Sequence, residues 1–197
     1  HPGKSARHAG HRLPTHNVSI HFRPRQLMRL IGLSGRKRSG KDTVYALIQE
    51  EAKHLRPVRV AFGDALKEEV SNLLNVSVEE MESDKSRFRG ILQWWGTEWR
   101  RHQNPYYWID KTRAKILALE GQSELIVVTD VRFANEVLLI EELGGTVVRV
   151  SRPEADSVLD PHLSEVLMDK HPFTQFLHNT GTVDELRRSI QKLLLVA

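Results

Sequence analysis

Residues 27–43 read Leu-Met-Arg-Leu-Ile-Gly-Leu-Ser-Gly-Arg-Lys-Arg-Ser-Gly-Lys-Asp-Thr, and this stretch decides the fold. The apolar run from Leu27 to Leu33 has the length of a buried strand, and an amphipathic run begins at Lys41. Between them Gly35, Gly40 and Lys41 keep the spacing GxxxxGK. A strand, a loop bracketed by glycines and a helix start form a nest of backbone N–H groups that suits a phosphate. The positive end of the helix dipole adds to it. In that loop Gly35, Arg38, Ser39 and Gly40 line the anion and Lys41 reaches the outer phosphates of a nucleotide. The position after the lysine, often a hydroxyl residue, holds Asp42, and Thr43 follows. A carboxylate there is repelled by a polyphosphate unless it turns away or faces a cation. One residue also turns a hydroxyl by about 100° around a helix, so Thr43 is the candidate hydroxyl for phosphate or Mg2+.

Outward from the loop, short apolar runs alternate with longer amphipathic ones, the pattern of a mainly parallel sheet with helices on both faces. Strands are expected at Leu27–Leu33, Val58–Phe62, Leu125–Thr129, Thr146–Val150 and, more weakly, Phe173–His178. Helices are expected at Lys41–His54, Asp64–Asn75, Val78 to about Phe88, Leu92–Arg101, Ile109–Glu120, Asn135–Leu143 and Val183–Leu195. This is an α/β fold of three layers around five strands. In such sheets ligands gather beyond the carboxyl ends of the strands.

The residues at those ends are chemically rich. Asp130 closes the run Leu125–Thr129, where it serves a magnesium ion or caps a helix, and Arg132 follows two residues later. Asp64 caps the next helix or orients an acceptor. Arg152 opens a polar stretch with Asp160, His162, Ser164, Glu165 and three prolines that extends to Pro172, the composition of a short lid. His162 reads more readily as a hydrogen-bonded structural residue than as a proton carrier. Asn179 either contacts adenine or forms a turn before the last helix.

Residues 87–101 are the most unusual. In an α-helix Phe88, Leu92, Trp95 and Trp99 share one side, while Arg89, Gln93, Gly96 and Arg100 lie within roughly 60° of one another. Two guanidiniums, an amide and the gap beside a glycine suit a monophosphate and a base. The tryptophans at that spacing equally suit a core, and Gly90 offers a place to break the helix.

Composition narrows the class. The chain has 197 residues, 40% hydrophobic and 27% charged, with no long apolar run, so one soluble domain is expected. The absence of cysteine removes thiolate nucleophiles, disulfides and cysteine-ligated metals. The net charge of +4 is misleading, because Lys4, Arg7, Arg12, Arg23 and Arg25 lie in an acid-free stretch over residues 1–26 and the remainder carries −1. The expected organisation is a disordered, His-rich basic tail over 1–26 and one domain over 27–197. Nucleic acid is not an expected partner except through that tail, a membrane is not expected, and a homodimer is compatible with the sequence.

Taken in order, GRKRSGKDT (35–43), FGDALK (62–67), LQWWGTEWRR (92–101), TDVRFANE (129–136) and HLSE (162–165) resemble the phage-type deoxynucleoside monophosphate kinases. Those are relatives of adenylate and phosphomevalonate kinases within the P-loop kinase fold. The resemblance spans about residues 27–195 and implies a helical acceptor-binding insertion. It also implies transfer of the γ-phosphoryl group of ATP, with Mg2+, to a deoxynucleoside 5′-monophosphate for DNA synthesis, in the cytoplasm, that of the host if the chain is of phage origin. On this reading Lys41, Asp130, Arg132 and Arg152 act on the transferring group, and Gly35–Thr43 with Asn179 hold ATP. Asp130 and Thr43 serve the metal, and Asp64, Lys67, Arg89, Gln93, Trp94, Thr97 and Arg100 hold the acceptor. Two other readings fit the loop: a phosphomevalonate-type or other small-molecule kinase, and a non-catalytic ATP-binding or nucleic-acid module.

Overall fold

A computed structural model describes residues 28–157 and 167–196. The tail and the expected lid residues Asp160, His162, Ser164 and Glu165 lie outside the described residues. Five strands form one sheet: β1 (Arg29–Ser34), β2 (Val58–Val60), β3 (Leu125–Val131), β4 (Thr146–Ser151) and β5 (Gln175–His178). Their order is β2-β3-β1-β4-β5 and every pairing is parallel. The chain crosses from one side of β1 to the other, so the loop after β1 sits at the switch point where ligands bind in open α/β sheets.

Alternation along the strands builds two cores. Leu30, Val60, Ile126 and Val128 face α5 (Tyr107–Ala118) and α6 (Ala134–Glu142), through Ile109, Ile116, Leu139 and Ile140. Ile31, Leu33, Val127, Val148 and Val150 face the other way, onto α1 (Lys41–Glu51) and α7 (Val183–Val196), through Val44, Ile48, Leu186 and Ile190. Both faces are therefore covered, as parallel strands require. The three-layer expectation holds. A smaller cluster of Val70, Met81 and Phe88 joins α2 (Phe62–Leu74), α3 (Val78–Ser83) and α4 (Lys85–Gln93) into the helical insertion. Among the described residues no helix is long and apolar enough to cross a membrane.

Several boundaries differ from the sequence expectation, each for a local reason. β2 stops at Val60, because the N–H groups of Phe62 and Gly63 donate to Asp130 and start α2 two residues before Asp64. The single helix expected from Val78 divides at Asp84. Its carboxylate accepts from Arg87 N at 3.3 Å and caps a new helix, while Ser77 Oγ caps α3. Gly90 does not break α4. The largest departure is Trp94–Arg101, which continues α4 as a π-helix rather than an α-helix.

Candidate active site

The phosphate loop is shaped by its main chain. Gly35 (φ 154°), Arg38 (φ 66°) and Gly40 (φ 98°) all have positive φ, which turns successive N–H groups inward. A Cβ on Gly35 would meet Val150 O at 2.5 Å, and one on Gly40 would collide with Asn179 Nδ2, so glycine is required at both places by torsion and space. Lys41 Nζ donates to Gly35 O and Arg36 O, each at 2.8 Å. Asn179 Nδ2 donates to Ser39 O at 3.0 Å, so it braces the loop from β5. Ser34 Oγ and Ser39 Oγ are buried with no hydrogen-bond partner among the described residues. Two orphaned hydroxyls, a positive-φ cradle and a lysine folded into it fit the phosphates of ATP. Asp42 and Thr43 lie exposed on the first turn of α1.

Asp130 ends β3 beside the start of α2. Its two carboxylate oxygens accept from Phe62 N and Gly63 N, both at 2.8 Å. It therefore caps α2, and each oxygen keeps a lone pair with which it can serve a metal's waters. P-loop kinases use Mg2+ to neutralise charge on the transferring group, and Thr43 and Asp130 both carry oxygens of the kind that ion takes. Among the described residues no group of three metal-binding side chains is assembled. Asp64 takes the capping role: it accepts from Ala61 N at 3.2 Å and pairs with Arg59 at 3.2 Å and Lys115 at 3.4 Å.

The π-turn rearranges the aromatic segment. In an α-helix, residues five apart sit about 140° from each other. The wider i→i+5 turn instead stacks Trp94 on Trp99, with centroids 5.6 Å apart and planes at 22°. The strip Arg89–Gln93–Gly96–Arg100 drawn on an α-helix is thereby broken. Gly96 leaves no gap for a base, because it is buried and an added Cβ would lie 2.7 Å from Leu66 Cδ2. Trp108 Nε1 donates to Gly96 O at 2.9 Å and satisfies the π-turn's carbonyl. Arg100 is committed to Glu69, by Nε at 2.6 Å and a terminal nitrogen at 2.5 Å. Trp95 Nε1 (2.9 Å) and Tyr107 Oη (2.7 Å) donate to the same carboxylate. Burial raises the Glu69 pKa, but the donors from Tyr107, Trp95 and Arg100 outweigh it and hold the group below the usual carboxylate range. Arg89, Gln93 and Thr97 are half-buried, and Trp94 is exposed. Lys67 is ion-paired with Glu82. Hydrogen bonds from Lys67 and Lys85 bring Glu82 down to about 2.

Arg101 and Glu136 escaped the sequence reading as a pair. Glu136 is buried; one of its oxygens accepts from Arg132 N (2.6 Å) and Phe133 N (3.1 Å), and the other from Arg101 at 2.7 Å. The Arg101 guanidinium stacks 3.7 Å from the Phe133 ring centroid, and its Nε is buried with no hydrogen-bond partner among the described residues. Burial raises Glu136 to about 7, against the pull of Arg101 and with help from the charge of Asp130. Glu136, at the third position of α6, reaches back to the Phe133 N–H, but the partner hydroxyl of a capping box is missing from Phe133, and nothing in the sequence distinguished Arg101 from Arg100. Arg132 is half-buried just past β3, and Arg152 is exposed and pairs with Glu154 at 3.1 Å.

Residues 33–145 match the family model for phosphomevalonate kinase, from the end of β1 through the loop, the insertion, β3 and α6. The chain belongs to the phosphomevalonate kinase family. It is a P-loop kinase-superfamily enzyme, an ATP-dependent phosphotransferase acting on a small molecule. A protein of Acanthamoeba polyphaga mimivirus, provisionally described as a deoxynucleotide monophosphate kinase, is 30% identical over 186 residues, which cover 83% of this kinase and 94% of the viral protein. The crystal structure of shikimate kinase from Bacteroides thetaiotaomicron aligns with a TM-score of 0.42 at 14% identity, over 85% of this kinase and 98% of that chain.

Proposed function

We propose that the enzyme moves the γ-phosphoryl group of MgATP onto the phosphate of a small phosphomonoester, with a phosphomevalonate-type acceptor as the first reading. The observation that carries it is the family match, which covers the donor loop and the acceptor insertion in one stretch. The loss of the base-sized gap at Gly96 also favours this acceptor over the nucleotide expected from the sequence.

Lys41 bridges the outer phosphates, and Thr43 and Asp130 stand on the metal side. Arg89, Arg132 and Arg152 hold the acceptor and transferred phosphates. The attacking oxygen belongs to a phosphate already ionised near neutral pH, so no general base is needed. Positioning and charge neutralisation supply the acceleration.

A deoxynucleoside monophosphate is the second reading. It is favoured by the viral relative and by the exposed Trp94–Trp99 stack next to Gln93. Coupled ADP release, measured with 5-phosphomevalonate and with each of the four dNMPs for wild type and Lys41→Ala, separates the two. The first reading predicts ADP only with 5-phosphomevalonate or a similar non-nucleotide phosphomonoester, lost in Lys41→Ala. Turnover confined to dNMPs moves the assignment to the second reading, and ADP release indifferent to every phosphomonoester defeats both.

A further inference from the structure

The phosphate loop is held from outside by two side chains that flank β5. Asn179 takes the Ser39 carbonyl; Asp169, on the turn before β5, takes Arg36. Arg36 Nε donates to Asp169 Oδ1 at 3.3 Å and a terminal nitrogen forms a closer ion pair with Oδ2, a fork-to-fork pairing. Arg149, buried on β4 and in register with Ser34, donates to the same Oδ1 at 2.8 Å. One carboxylate thus gathers two guanidiniums at the rim of the cradle.

Arg36 is the pivot of the loop. Its carbonyl accepts from Lys41 Nζ at 2.8 Å and from Ser39 N at 3.1 Å, so a shift of Arg36 moves the lysine and the tight turn together. Arg149 meets the same carboxylate, Lys41 meets the Arg36 carbonyl, and Lys37 and Arg38 follow directly in the chain, so without a counter-charge the local positive charge disfavours the inward position of the Arg36 side chain. Asp169 offsets one of the two guanidiniums it touches and leaves the rim net positive for an incoming polyphosphate.

We propose that Asp169 is a positioning residue for ATP: by clasping Arg36 and Arg149 it fixes the phosphate loop in its anion-receiving shape before the nucleotide arrives. This rests on the reading that Gly35–Lys41 receives the phosphates of ATP. No nucleotide contact by Asp169 itself is involved, since a carboxylate and a polyphosphate repel.

The test measures the affinity of the full chain for the magnesium complex of a β,γ-imido ATP analogue by calorimetry, together with apo melting temperatures. Asp169→Asn weakens binding about tenfold, the scale of one charge-assisted contact. Asp169→Glu, which keeps the charge, restores most of it. The double variant Arg36→Met/Asp169→Asn binds no more weakly than the weaker single, because both act through one pairing. Analogue binding by Asp169→Asn equal to or tighter than wild type overturns the proposal, the tighter case marking Asp169 as a competitor for Arg36. A loss of binding that Asp169→Glu fails to restore, or that adds in full to Arg36→Met while the apo melting temperature falls, overturns it as a merely structural effect. If wild type and Lys41→Ala bind the analogue equally poorly, the loop assignment falls and the proposal with it.

Discussion

The phosphate loop takes its form from main-chain torsions at Gly35, Arg38 and Gly40, with Asn179 and Asp169 bracing it from outside, whereas the helical insertion takes its form from side chains converging on Glu69 and Glu136. A loop built from torsions presents its N–H groups before any ligand arrives, and its requirements are written as glycines at fixed spacing. A site built from converging side chains depends on groups far apart in sequence, such as Glu69, Arg100 and Tyr107. On the proposed function, the loop assigned to the donor is therefore general and the insertion assigned to the acceptor particular.

The sharpest way to break this contrast is Lys41→Ala. Removing the cation that joins the loop to the phosphates lowers kcat/KM on the order of a thousandfold with little change in melting temperature. A large stability loss instead would mean that the loop, too, depends on its side chain. Arg101→Met has the largest expected effect on the acceptor half, because it leaves Glu136 buried beside Asp130 without its cation. A loss of about 3 kcal/mol is expected in chemical denaturation at pH 8, shrinking toward pH 6 as Glu136 takes a proton.

How far the sequence carried the reading follows the same division. The spacing of Gly35, Gly40 and Lys41 between an apolar and an amphipathic run showed the loop, and alternation in Leu30–Leu33 and Leu125–Val128 showed the two-faced sheet. The π-turn was hidden, because an α-helical wheel assumes a fixed angle per residue and nothing in Trp94–Arg101 announces a wider turn. With the wheel wrong, Gly96 was read as a gap when it is a contact with Leu66. Arg100, read as a phosphate clamp, is paired with Glu69, a partner far away in sequence. Asp169 carried no local signal, since its partners Arg36 and Arg149 lie on other elements.

The pH dependence of wild type sharpens the acceptor side further. Glu136 titrates at about 7 in the folded chain, above its ordinary value near 4.5. The folded state thus holds an extra proton between those values. This contribution to stability is complete below pH 4.5 and is lost as pH rises through 7, a change on the order of 3 kcal/mol. Glu136→Gln cannot titrate, so subtracting its denaturation curve from that of wild type isolates the slope; parallel curves across pH 5–8 would contradict the buried carboxyl. Glu69→Gln keeps the shape but removes the charge facing Arg100. A loss of about 1–2 kcal/mol and a raised acceptor KM are expected, with ATP affinity unchanged. The smallest effect belongs to Lys67→Met. Glu82 sits at about 2 and contributes stability above its ordinary value that is lost as pH falls, but the pair is exposed enough that about 0.5 kcal/mol or less is at stake at pH 7.

The central claim is that the acceptor presents a phosphate, so the bond formed is a P–O–P linkage. Phosphorus NMR of the products from MgATP and 5-phosphomevalonate, with each dNMP and shikimate run alongside, reads that bond directly. The account predicts a new diphosphate pair of resonances on a phosphomonoester acceptor, matched by ADP and absent with Lys41→Ala. A new phosphomonoester signal from shikimate, with no diphosphate formed on any phosphorylated acceptor, would contradict it.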